Sequence, residues 1–126
     1  MVSKHVIAVD LGAESGRVMQ VSYDGQRLQL EEKHRFPTGG LTAGKTMYWD
    51  ILRLWQDITT GIKAVGEAAS VGVDTWGVDF ALLDRDGNLL SNPVHYRDPR
   101  TDGMMEWVFE RVPRREVFER TGIQFM

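Results

Sequence analysis

The first apolar run of the chain, Val6-Ile7-Ala8-Val9, has no polar alternation and ends in Asp10. A run of this kind predicts a short strand covered on both faces. Leu11 to Gly16 is a small, polar, glycine-bearing loop. Beyond it Arg17 to Tyr23 alternates, with Met19, Val21 and Tyr23 on one face. Asp24-Gly25 predicts a two-residue hairpin turn. Arg27 to Phe36 then returns, with Leu28, Leu30 and Phe36 expected on one side of the pleat. The chain is therefore expected to open on an antiparallel three-strand meander.

The period changes further on. Pro37 to Thr46 holds Gly39, Gly40 and Gly44 and reads as a loop. Asp50 suits a helix N-cap, and Ile51, Trp55, Ile58, Ile62 and Val65 recur at three- and four-residue spacing. That spacing predicts one helix with a single apolar stripe, stopped at Gly66. Ser70 to Asp74 and Phe80 to Asp84 predict two further strands, with Asp84 to Asn88 a turn, and Pro93 to Arg97 is expected to extend the sheet. Thr101 is expected to cap a helix carrying Met104, Trp107 and Val108. Pro113 is expected to open a last short helix, ended by Gly122. Strands followed by a crossover helix and another strand imply an α/β domain.

Composition narrows the chemistry. A length of 126 residues suits one domain, and the absence of cysteine excludes disulfides, thiolate metal sites and a cysteine nucleophile. It fits a cytoplasmic protein. A net charge of -3 argues against a nucleic-acid groove, and no apolar run approaches a membrane span. Residues 97–120 carry six arginines and six acidic residues, which cancel and predict a solvated, ion-paired helical surface.

Three segments carry candidate chemistry. In Val9-Asp10-Leu11-Gly12-Ala13-Glu14-Ser15-Gly16-Arg17 a carboxylate ends a buried strand and small residues form the turn behind it. Small residues let backbone N–H groups approach an anion, Ser15 and Arg17 suit phosphate oxygens, and Asp10 suits Mg²⁺ through its water shell. The same pattern also fits a plain hairpin turn with Asp10 as its cap. In Gly72-Val73-Asp74-Thr75-Trp76-Gly77-Val78-Asp79-Phe80 two Gly-Val-Asp units each place a carboxylate near a strand end. Trp76 offers an apolar face and Gly77 a closely approachable N–H, a pairing suited to a sugar or equally to a core turn. Tyr96-Arg97-Asp98-Pro99-Arg100-Thr101 either contacts a polyol or ties down a loop.

A rival motif is Gly39-Gly40-Leu41-Thr42-Ala43-Gly44-Lys45-Thr46, which matches the P-loop pattern G-x-x-x-x-G-K-[ST] letter by letter. A P-loop must lead directly into a helix N-terminus. Here Met47-Tyr48-Trp49 intervenes before the Asp50 cap, and the preceding strand is polar. A flexible surface loop is the better expectation, with a P-loop NTPase as the enzymatic alternative.

Taken together and in this order, Ala8 to Arg17, Tyr48-Trp49-Asp50, Gly72 to Phe80, Tyr96 to Thr101 and Thr121-Gly122-Ile123-Gln124-Phe125 resemble the N-terminal part of the FGGY carbohydrate kinases. The Asp74-Thr75-Trp76-Gly77-Val78-Asp79 run resembles the branch acting on L-rhamnulose. The resemblance implies an actin-like ATPase (ribonuclease H-like) fold, with residues 1–126 forming the N-terminal part of the first of two lobes. It implies Mg²⁺-dependent transfer of the ATP γ-phosphate to the 1-hydroxyl of L-rhamnulose, in cytoplasmic rhamnose catabolism. The ATP-contacting positions fall on Ala13, Glu14, Ser15, Gly16 and Arg17. The Mg²⁺-associated acid falls on Asp10. The substrate-contacting glycine falls on Gly77, flanked by Trp76 and Asp79. The general-base aspartate is expected beyond residue 126, so these residues alone are expected to lack kinase activity. A cut surface normally covered by the rest of the lobe is expected to be apolar and to promote self-association. The non-enzymatic alternative is a sugar-binding or assembly module in which the Asp10 turn is structural.

Overall fold

A computed structural model describes residues 4–125; residues 1–3 and 126, at the two ends of the expected domain, lie outside the described residues. The opening meander forms as the alternation predicts. Strands β1 (Lys4–Leu11), β2 (Ser15–Tyr23) and β3 (Leu28–Pro37) pair antiparallel in sequence order. The turn joining β2 to β3 is longer than the expected two-residue turn and spans Asp24–Arg27. The Asp24 carboxylate accepts the amides of Gln26 and Arg27, both at 2.8 Å. The Arg27 and Gln26 amides hold that carboxyl below its ordinary pKa.

A β-bulge corrects the expected face of β3. Val18 pairs with His34 but Met19 pairs with Glu32, which leaves Lys33 as an extra residue. Inserting one residue reverses the alternation. Phe36 therefore faces the core, whereas Leu28 and Leu30 lie on the opposite face and are exposed.

Two short strands replace the expected loop at 37–46. β4 (Leu41–Ala43) and β5 (Thr46–Tyr48) form a separate hairpin whose tip holds Gly44 at φ +65°. The helix α1 (Ile51–Val65) follows, with the Asp50 carboxylate accepting the Arg53 amide at 3.2 Å and Gly66 as its stop. Of the predicted stripe, Ile51, Ile58, Ile62 and Val65 pack against the core, and Trp55 lies off it. Leu54 and Gly61 are buried, while Trp55 is 64% exposed. Gly61 fixes the contact, since a Cβ there would lie 2.5 Å from the Val18 Cβ. The helix rests on β1, β2 and β3. Buried Ile7, Val9, Val18, Phe36, Trp49 and Leu54 form the core.

The chain then returns as β6 (Val71–Asp74), parallel to β1, which gives the order β3-β2-β1-β6. Phe80 to Asp84 does not form a strand. It makes a single bridge, Leu83 to Leu89, because the Asp84 carboxylate tightens the turn by accepting the amides of Asp86 and Asn88 at 2.9 and 2.8 Å. The segment around Val94 bridges Tyr48 of the small hairpin instead of extending the main sheet. A 3₁₀ turn (Pro99–Thr101) is capped by Asp98. α2 (Met104–Phe109) starts from Gly103, not from the expected cap Thr101, and α3 (Arg114–Thr121) runs from Pro113 to Gly122 as expected. Among the described residues no helix is long and apolar enough to cross a membrane.

Candidate functional site

The parallel pairing of β1 with β6 sets Asp10 directly beside Asp74 at the C-terminal ends of both strands. Ligands of α/β sheets gather at such ends. The antiparallel pairing of β1 with β2 sets Asp10 opposite Arg17, and the two side chains form an ion pair. Nε of Arg17 is buried without a partner among the described residues. Between these two residues the chain turns through Gly12–Ser15, with the Gly12 amide donating to the Ser15 carbonyl at 3.1 Å. Gly16 lies flat on the Phe36 ring, where a Cβ would come within 2.5 Å of Cζ. The Ser15 hydroxyl accepts from Arg35 at 3.4 Å, and the Glu14 side chain is exposed.

The predicted phosphate-turn residues Asp10, Ala13, Glu14, Ser15, Gly16 and Arg17 are thus gathered at one sheet end. The donor set suits Mg²⁺, which takes hard oxygen ligands, keeps several waters and needs only one or two carboxylates. Asp10 and Asp74 supply two. Among the described residues no cluster of three or more His, Asp or Glu side chains forms a closed metal cage.

The second predicted group is built around an aromatic stack. Trp49 is buried and stacks on Trp76 with ring centroids 3.9 Å apart. Its other neighbours are His95 at 4.0 Å and Tyr96 at 6.2 Å. The Asp79 carboxylate accepts the Trp49 indole N–H and the Tyr96 amide through the same oxygen. Asp79 therefore fixes the stack. With Phe80 it also lines two clefts. One, of about 190 Å³, is bounded by Leu11, Thr75 and Trp76; the other, of about 320 Å³, by His95, Tyr96, Arg100 and Thr101. The Trp76 indole nitrogen is buried without a partner among the described residues, and Gly77 lies exposed on the connecting loop.

Buried Asp98 holds the floor of this region. Its carboxylate accepts the Met47 amide at 2.7 Å and the Arg100 amide at 3.0 Å, which lowers its pKa. Tyr96–Thr101 therefore ties a loop to the β4–β5 hairpin, and Tyr96, Arg100 and Thr101 also face the larger cleft.

The P-loop alternative is excluded by geometry. Gly44 and Lys45 form the exposed tip of the β4–β5 hairpin, and no helix starts there. Backbone N–H groups of a helix N-terminus are what a P-loop presents to phosphate, and they are not at this tip.

Three participants escape the sequence reading. Thr38 contacts the Gly12–Ser15 turn, Trp49 centres the aromatic stack, and His95 packs against it. Trp49 stood within a resembling motif, but its partner Asp79 lies 30 residues away. The signal for Thr38 was weaker still: a polar residue second in an expected loop.

The three-strand meander, crossover helix and parallel β6 form a mixed sheet that carries Asp10 and Asp74 side by side at its strand ends. The profile of the FGGY family of carbohydrate kinases, N-terminal domain, matches residues 5–126, and the chain belongs to that family. A rhamnulokinase of Bacteroides thetaiotaomicron is 50% identical over 127 residues, covering 98% of this chain and 26% of that protein. Rhamnulokinases of Oceanobacillus iheyensis (46% identity; 94% of this chain, 26% of that protein) and Enterobacter sp. (45%; 100% and 27%) are similar. The chain spans about a quarter of the length of these relatives. Among solved structures, a gluconate kinase from Lactobacillus acidophilus superposes with a TM-score of 0.71 at 15% identity, over 96% of this chain and 25% of that one. A xylulose kinase from the same organism gives 0.71 at 14% identity, over 92% and 24%. The fold is accordingly that of the actin-like ATPases.

Proposed function

We propose that this chain supplies the nucleotide-phosphate turn and part of the sugar site of a cytoplasmic kinase that phosphorylates L-rhamnulose at its 1-hydroxyl. The observation carrying the reading is the convergence of Asp10, Asp74 and Arg17 at the sheet end, beside the Trp49–Trp76 stack. The similarity to rhamnulokinases supports the choice of sugar.

In this reading Ala13–Gly16 orients the phosphates of ATP and Arg17 neutralises their charge. Asp10 and Asp74 would hold Mg²⁺, which when bound would supply neutralisation of the phosphate charge. Trp76 and Gly77 present the ketose, and Asp79 keeps the aromatic platform in place. Phosphoryl transfer depends mainly on positioning and charge neutralisation. The general base is an aspartate from outside these residues. General-base catalysis contributes about 10²–10⁴ in rate, so the 126 residues alone are expected to show no appreciable kinase activity.

Calorimetric titration with Mg·ATP and with L-rhamnulose tests the proposal. Arg17→Ala and Asp10→Asn are expected to weaken Mg·ATP binding by about tenfold or more, as loss of a charge-assisted contact does. Lys45→Ala is expected to leave it unchanged. Loss of nucleotide affinity on Lys45→Ala alone would overturn the reading. Sugar binding with no nucleotide response would favour a non-catalytic binding module instead.

A further inference from the structure

We infer that Thr38 is a positioning residue for the Gly12–Gly16 turn, holding it in its phosphate-facing shape before any ligand arrives. The inference rests on the reading of that turn as the nucleotide-phosphate site. Thr38 follows β3 directly, lies outside every motif the sequence singles out, and is 1% exposed. A polar residue so deeply buried needs partners for its hydrogen-bonding groups. Its hydroxyl donates to the Gly12 carbonyl at 2.6 Å, and its amide donates to the Glu14 carbonyl at 3.2 Å. The Ser15 carbonyl is taken by the Gly12 amide at 3.1 Å.

Three carbonyl oxygens of the turn are therefore occupied within the protein. A trans peptide points its N–H opposite to its C=O. Fixing the Gly12 and Glu14 carbonyls on Thr38 thus directs the Ala13 and Ser15 amides away from it. Carbonyl oxygens repel phosphate and amides attract it, so this orientation decides whether the turn is a nest for anions. Preorganised donors need no reorientation when charge arrives. The sequence separation of 26 residues between Gly12 and Thr38 means that β3 brings the clamp to the turn through the sheet.

The test compares Thr38→Val with Thr38→Ser on the 126-residue chain, by amide exchange in NMR without ligand and by Mg·ATP titration. Valine matches threonine in shape and keeps the main-chain bond to Glu14 but removes the hydroxyl; serine restores the hydroxyl. Loss of one hydrogen bond at a buried carbonyl is expected to speed Gly12 amide exchange by about tenfold in Thr38→Val and to weaken Mg·ATP binding by a similar factor. Thr38→Ser is expected to match the wild type in both. A role in stability alone would lower the melting temperature of Thr38→Val without moving the affinity of the folded chain. Unchanged Gly12 exchange and affinity in Thr38→Val would overturn the inference, as would an equal loss in Thr38→Ser. A wild-type chain that takes no Mg·ATP, while Gly12 exchange still responds to Thr38→Val, would overturn the nucleotide reading and leave Thr38 a purely structural clamp.

Discussion

His95 shows how a single side chain couples the candidate site to pH. Its ring is buried, tilted against Trp49 and stacked on Tyr96, and its Nδ1 accepts the Arg97 amide at 3.0 Å. The fold thus holds the neutral ring with its proton on Nε2. Burial lowers its pKa below the ordinary value of 6.5; the Asp79 charge opposes this and the Arg97 charge adds to it. In the window below 6.5 the unfolded chain binds more protons than the folded one. Stability therefore falls as pH drops from 6.5 and stops falling through this group once the folded imidazole is itself protonated. His95→Phe keeps an aromatic ring in the stack and removes the titration. Thermal unfolding followed across this pH window is expected to show a smaller fall in melting temperature for His95→Phe than for the wild type. Parallel curves would remove His95 from the pH dependence.

The contact of α1 with the sheet is decided by the smallest residue on the helix. In an exposed helix interior alanine is better than glycine by about 1 kcal/mol. At position 61 the added methyl would press on Val18 and His34, and overpacking of this kind costs about 1–3 kcal/mol. Gly61→Ala is expected to destabilise the chain by about 1 kcal/mol despite its better helix propensity. Exposed Thr60→Ala is expected to be neutral or slightly stabilising, by up to about 0.5 kcal/mol. Urea midpoints at equal slope measure both, and a Gly61→Ala chain as stable as the wild type would mean that the helix has room to withdraw. The same element shows what the sequence could reveal. Asp50 and Gly66 announced its ends because caps have chemistry of their own. The choice of Leu54 over Trp55 as the buried neighbour of that stripe was not legible, since both border it and only the Gly61–Val18 contact chooses between them. The bulge at Lys33 was equally silent, because no residue type announces it. In the candidate site, Asp10 and Arg17 were readable from a local turn. Thr38 and the Trp49–Asp79 pair depend on chain segments that only the folded sheet brings together.

Across the whole molecule the helix layer stops short of the sheet. Val9 on β1 is 1% exposed, yet Val73, its in-register neighbour on β6, is 60% exposed, and Val71 is 50% exposed. The cause is the placement of α1, which covers β1, β2 and β3 but not β6. β6 also forms one edge of the sheet, so its outward main-chain groups have no partner strand among the described residues. Phe80, Leu82, Leu83 and Leu90 add further exposed apolar surface in the segment that follows. An uncovered apolar strand at a sheet edge is a template for pairing with another chain. The relatives it matches are about four times as long. The 126 residues by themselves have only one another, and they are expected to self-associate through β6. Sedimentation velocity should show oligomers that grow with concentration, and Val73→Lys should shift them toward monomer by placing a charge on the exposed strand. Oligomers unchanged by Val73→Lys would locate the contact elsewhere, and a chain that stays monomeric at its highest soluble concentration would show that the exposed β6 edge does not drive association.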